Sequence, residues 1–244
     1  NSMKDVKITD WLSVAFNFIM ALLAIWGVLY ARNWRESLTE SKALEEAINL
    51  KYQVIMKVYY AFFTLSLSGI KYHIPDRVKG HVFDDYDTKG LFNSFHDMCN
   101  KLDCVRDAFF DLQASRERLV FFGWDFCTDK KNEFMKIDTS VDDLYISRIK
   151  LEGIINTVLS GHGVFYKAEF SFPRDKRNQE NTDLDNLIKI LNDNFVTSES
   201  FGEFEHILGE IMDIRNSSLN SINVLRDHND TMHELIEPIN RFRK

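Results

Sequence analysis

The apolar positions of this chain fall into one unbroken block followed by a series of periodic stripes. Residues 11–31 carry no charge. As one helix they would rise about 31 Å, close to the hydrocarbon thickness of a bilayer. Trp11 at one end and Trp26, Tyr30 and Trp34 at the other put amphipathic rings where headgroups would lie. A cleaved secretory signal has a shorter apolar core ending in small residues. Here Leu29-Tyr30-Ala31 runs straight into Arg32 and Arg35, so the segment is expected to remain as an anchor.

Beyond the block the spacing becomes helical. Leu44, Ile48, Ile55, Val58, Phe62 and Leu65 recur at steps of three, four or seven, which predicts a buried face on a helix over 34–70, a stalk continuing the membrane helix. Residues 71–89, with Pro75, Gly80 and the acidic run Asp84-Asp85-Tyr86-Asp87, read as a loop. A stripe of Phe95, Met98, Leu102, Val105, Phe109, Leu112 and Leu119 predicts a helix over 91–121. Leu144, Leu151, Ile155 and Val158 predict another over 141–159. Tyr166, Ala168, Phe170 and Phe172 alternate with more polar neighbours, the rhythm of a short strand over 164–172. A short helix over 183–194 follows.

After the cap-like Ser198 and Ser200, a stripe from Phe201 through Leu208, Ile211, Leu219, Ile222, Leu225 and Met232 to Ile236 predicts a last helix of more than thirty residues. The fold class is therefore mainly α. A tail over 1–10 leads to a single transmembrane helix over 11–31. A stalk over 32–72 joins a cytosolic multi-helix bundle over 73–244 with at most one short strand or hairpin.

Composition narrows the function. A net charge of −7 excludes a general nucleic-acid surface, which needs clustered Lys and Arg to displace counterions. Three cysteines, an odd number, fit a reducing compartment better than a disulfide framework. Arg32, Arg35 and Lys42 on the domain side outweigh Lys4 and Lys7, favouring a single-pass protein of the cell inner membrane with its large domain in the cytoplasm. Asn17 is a polar residue inside the span, and an amide in hydrocarbon seeks another helix or the interface. Ala21, Ala24 and Gly27 recur every three residues and would let helices approach closely, so homo-oligomerisation is expected.

Candidate chemistry is sparse. His96, Cys99, Cys104 and Cys127 are zinc-type ligands, yet on an unbroken helix His96 and Cys104 differ by about 12 Å in rise, too far to share one ion. His73, His81, Asp84, Asp85 and Asp87 read as a solvated acidic loop. No metal and no cofactor is expected. P-loop, dinucleotide-binding, zincin and nucleophile-elbow motifs are missing from the sequence. Gly161-His162-Gly163 reads as a turn, and the aromatic run Phe121-Phe122-Gly123-Trp124-Asp125-Phe126 as a plug on the bundle core or a membrane-facing or partner-binding knob.

Arg226 and His233 are separated by six residues, and Arg215-Asn216 begins a related pattern with Asn220 where histidine would stand. The Arg226–His233 spacing resembles the R-x4-6-H signature of HEPN nucleases. It implies an arginine and a histidine brought together across a dimer for acid–base cleavage of RNA. The order of elements, a short tail, one span and a helical cytosolic domain, is similar to single-span HEPN-like accessory membrane proteins of CRISPR and other bacterial anti-phage systems. That resemblance implies a self-associating effector that perturbs or perforates the membrane, with Arg226 and His233 as structural remnants. The expectation is a non-enzymatic protein whose partners are the lipid bilayer and further copies of itself. The alternatives are a membrane-tethered HEPN-like ribonuclease, the one reading that brings in nucleic acid, and a scaffold or sensor recruiting a cytosolic protein.

Overall fold

The computed structural model describes residues 8–75, 82–160, 177–196, 198–227 and 231–239. Its long helices are α1 (Ile8–Asn49), α2 (Ile55–Thr64), α4 (Asp85–Phe121), α5 (Thr128–Ser160), α6 (Arg177–Ile190) and α7 (Glu199–Leu225). The short pieces are α3 (Ser68–His73), α8 (Met232–Leu235) and two strands, β1 (Trp124–Phe126) and β2 (Ile236–Pro238).

Helix α1 passes through a π-turn at Leu50–Val54 into α2 without a break, a rod about 85 Å long at 1.5 Å per residue. The π-turn rephases the buried face. Seven residues from Ile48 to Ile55 no longer make two whole turns, so Ile55 lines up with Ala47 and Leu50. Ala43, Ala47 and Leu50 are therefore buried, whereas Leu44 and Ile48, expected in the core, are exposed. Deleting Gln53, an exposed residue within the π-turn, should restore a regular helix with both faces kept. The expected cost is under about 1 kcal/mol in a denaturant titration; a loss several times larger would mean that the π-turn itself is required.

The rod stops at Thr64, six residues before the expected end. Leu65 turns extended (ψ 104°), and Leu65 and Leu67 drop side chains into the core from the link to α3. The end is also capped from outside, because Arg215 of α7 donates Nε to the Phe62 carbonyl at 3.0 Å and Nη2 to that of Phe63 at 2.8 Å. A cation on the last carbonyls complements the negative end of the helix dipole.

Ion pairs and hydrogen bonds fix the helix directions. Glu46 of α1 accepts from Ser115 and Arg118 of α4, while Lys57 farther along the rod pairs with Asp111, so α4 runs antiparallel to the rod. Gln113–Asp138 and Asp103–Arg148 set α5 antiparallel to α4. Lys130 near the start of α5 donates to the Val224 carbonyl near the end of α7 at 2.6 Å. The result is an up-down-up-down bundle of α2, α4, α5 and α7 around Phe62, Phe95, Phe109, Phe195, Phe201 and Phe204.

Several expected boundaries move. The acidic run is no loop: Asp84 is the N-cap of α4, accepting from the Asp87 N–H at 2.7 Å, and Asp85 and Asp87 sit in the first turn where the dipole favours them. Asp87 also pairs with His73, whose ring fills the space a Cβ at Gly90 would need, the nearest atom being 2.2 Å away. Helix α5 begins at Thr128, thirteen residues before the expected start, with Phe134 and Ile137 extending its buried stripe. The last helix ends at Leu225, eleven residues short of Ile236. Arg226 and Asp227 leave the helix, Thr231 and Glu234 form a capping box that starts α8, and Ile236 enters β2. Among the described residues the one sheet is β1 against β2, antiparallel, with Asp125 opposite Glu237. The strand expected over 164–172, the turn Gly161-His162-Gly163 and His81 lie outside the described residues.

Candidate membrane anchor and assembly surface

The N-terminal part of the rod makes no use of the bundle. Its most apolar eighteen-residue window has a mean hydropathy of 2.1, and none of it is buried within the chain. One helix near the N-terminus is thus long and apolar enough to span a membrane. Trp26 stacks on Tyr30 with ring centroids 5.8 Å apart, and Trp34 is exposed one turn beyond. Trp11 belongs to the same helix, but its side chain lies outside the described residues. Asn17, Ala21, Ala24 and Gly27 are all exposed. At 100° per residue the first three share a face and Gly27 sits at its edge.

The apolar surface resumes beyond Trp34. Leu44 (48% exposed), Ile48 (45%), Tyr52 (59%), Tyr60 (56%) and Phe63 (55%) form a ridge along α1 and α2 beside the buried face. The π-turn keeps the ridge straight, since Leu44, Ile48 and Tyr52 stand four apart and the wider turn compensates for the drift of a 3.6-residue helix. Tyr59, half-buried, stacks on Phe63 at 5.8 Å and lies edge-on to Tyr60 at 5.7 Å. The five ridge side chains expose on the order of 600 Å², the upper end of what a monomer leaves open in one patch. Asn17 points roughly 180° away from Leu44, so the two exposed surfaces occupy opposite sides of one rod.

Behind the ridge, polar anchors hold the rod on α4. Burial works against the Glu46 carboxylate, but hydrogen bonds from Arg118 and Ser115 and the Arg118 charge hold it below the usual carboxylate range. Sequence periodicity missed this ridge because it assigned Leu44 and Ile48 to the core; Ala43 and Ala47, in phase with Leu50, were the available signal for the alternative face.

The nuclease-type residues lie in different settings. Arg226 is the C-cap of α7, with its guanidinium 4.0 Å over the Tyr59 ring. His233 is exposed on α8, and its carbonyl accepts the Cys127 thiol at 3.5 Å. Among the described residues no hydrogen bond joins Arg226 to His233. Arg215 is occupied in capping α2 and donates to Asn216 at 3.0 Å. Asn220 is exposed on α7.

No group of three His, Cys, Asp or Glu among the described residues is placed to hold a metal ion. His96 and Cys104 are exposed on unbroken α4, and Cys99 is buried between α4 and α5. Burial pushes the Cys99 thiol up to about 12. It is inert at neutral pH. The apolar gap beside Phe92, Leu191, Phe195 and Phe204 encloses about 10 Å³, roughly the minimum for one water. The aromatic run divides its work, with Phe126 buried against Phe134 and Phe121 projecting into solvent.

No family model, no curated protein and no solved structure matches this chain.

Proposed function

We propose that this chain is a single-span protein of the bacterial inner membrane, with its bundle in the cytoplasm, that works by self-association in the plane of the membrane. The supporting observation is a wholly unburied apolar span that continues, in one rod, into an exposed ridge from Leu44 to Phe63. The ridge starts about 15 Å beyond Trp34 and extends a further 28 Å or so, so most of its length lies out of reach of the lipid. Copies anchored in one bilayer share orientation and a high local concentration, so like ridges meet in parallel. Each partner's share is somewhat below the area of a standard stable interface, a deficit that tethering offsets. Because the Asn17 side of the rod faces the opposite way, each copy has two edges to offer, and assembly extends past a pair. Such an array acts by perturbing the bilayer, the anti-phage role that the order of elements implies.

The full-length chain in mild detergent should run as a discrete oligomer by native mass measurement. Ile48→Asp with Tyr52→Asp should lower its mass to pairs or monomers while far-UV circular dichroism is unchanged. A monomeric parent would end the assembly reading, and a parent recovered in the supernatant without detergent would end the anchor reading. The ribonuclease alternative draws no support from the arrangement, as the Arg226 and Arg215 guanidiniums are engaged on Tyr59 and on α2. RNA cleavage lost in Arg226→Ala and His233→Ala would reinstate it.

A further inference from the structure

The bundle end nearest the span carries a second exposed apolar feature. Helix α4 runs back toward the span, and the Glu46–Arg118 pair brings its last turn level with the start of the buried part of the rod. Phe121 ends α4 one turn closer to the span and is 84% exposed, more than any other large hydrophobic side chain among the described residues. Phe122 meets it edge-on at 5.5 Å, and Gly123, at φ +84°, turns the chain into β1. The turn is rigid. The Gly123 carbonyl accepts the Ile239 N–H at 2.7 Å, β2 pairs with β1, and Arg116 grips Asp125 two residues on.

We infer that the Phe121-Phe122 turn is a membrane-interface contact, resting in the headgroup region of the leaflet from which α1 emerges. This rests on the reading of α1 as a span. Along the rod, Phe121 stands about 13 Å beyond Trp34, a distance closed by an ordinary helix tilt, the reach of the phenylalanine ring and the thickness of the headgroup layer. Rigid aromatic rings suit that layer, which accepts an apolar body beside polar groups, and a fixed turn gives up little conformational freedom on insertion. Lys131 and Arg118 lie beside the turn with their charges partly exposed, suited to lipid phosphates. With the span, the contact gives the bundle two points of attachment and so fixes the direction in which the ridge faces along the membrane.

The test uses the full chain with Cys104→Ser and Cys127→Ser, reconstituted in phosphatidylcholine vesicles. An environment-sensitive fluorophore is placed through Phe121→Cys or, at the far end of α4, through Tyr86→Cys. Position 121 should show blue-shifted emission and lose intensity to a headgroup-level spin-labelled lipid, while position 86 does neither. Emission at 121 matching that at 86, in a chain that resists carbonate extraction, would overturn this contact and leave the span intact. A blue shift that the labelled lipid does not quench would assign the turn to protein contact and equally overturn it. A chain extracted by carbonate would remove both the span and the contact that depends on it.

Discussion

Phe204→Ala should destabilise the bundle by about 4 kcal/mol, within the range for truncating a fully buried aromatic ring. Phe204 is inaccessible to solvent and lies where α7 faces α4 and a second π-turn, Leu191–Phe195, that follows α6, with Phe195 edge-on at 5.5 Å and Phe95 at 6.5 Å. Two costs add. The lost ring surface is one, and the other is a void that merges with the small gap already lined by Phe92, Leu191 and Phe195. Those walls are apolar, so the enlarged cavity should stay dry and take up benzene. Denaturant titration in detergent should register the loss, and benzene should restore part of it in the variant while leaving the parent unchanged. A cost near 1 kcal/mol without a benzene effect would mean that the neighbouring rings collapse into the space.

Local periodicity made the helical character and much of the core legible. The stripe from Phe95 to Leu119 marks the buried side of α4 because nothing interrupts a 3.6-residue rhythm there. Where the rhythm is altered, reading fails for identifiable reasons. A π-turn is invisible to a fixed period, and it moved Leu44 and Ile48 from the core to the surface. Met232 and Ile236 fell in phase with α7 by coincidence, although Thr231 and Glu234 three residues apart spelled a new helix start. The first turns of α5 were masked by Lys130, which is buried yet spends its charge on a helix carbonyl. Pairings between distant parts of the chain left no local trace: β1 with β2, Arg215 on the end of α2, and Asn192 bridging both the N–H and the carbonyl of Phe83. The long apolar segment was legible because length and lack of charge are local properties. The exposed ridge was not, because it depends on which apolar residues the bundle leaves uncovered.

Asp125→Ala should cost about 3 kcal/mol at neutral pH, toward the lower end for breaking an interior ion pair because the carboxylate keeps some contact with water. Asp125 accepts Nε and Nη2 of Arg116 at 2.8 and 3.0 Å, Lys131 Nζ at 3.2 Å and the Phe126 N–H at 2.9 Å. Its removal strands the Arg116 guanidinium, which lies 4.8 Å over the Phe134 ring, and frees the strand that holds β2. The damage should therefore be partly local, with residues 231–239 becoming the first site of limited proteolysis. Burial raises the affinity of Asp125 for a proton, but the bonds from Arg116, Phe126 and Lys131 outweigh it and hold the group below the usual carboxylate range. A carboxylate lowered on folding stabilises fully above its unfolded value, and that contribution disappears as pH falls through the folded value. The difference in stability between parent and variant should thus be constant near neutrality and shrink below about pH 4. A difference that holds unchanged into strong acid would show that the loss comes from packing around the turn, not from the charge on Asp125.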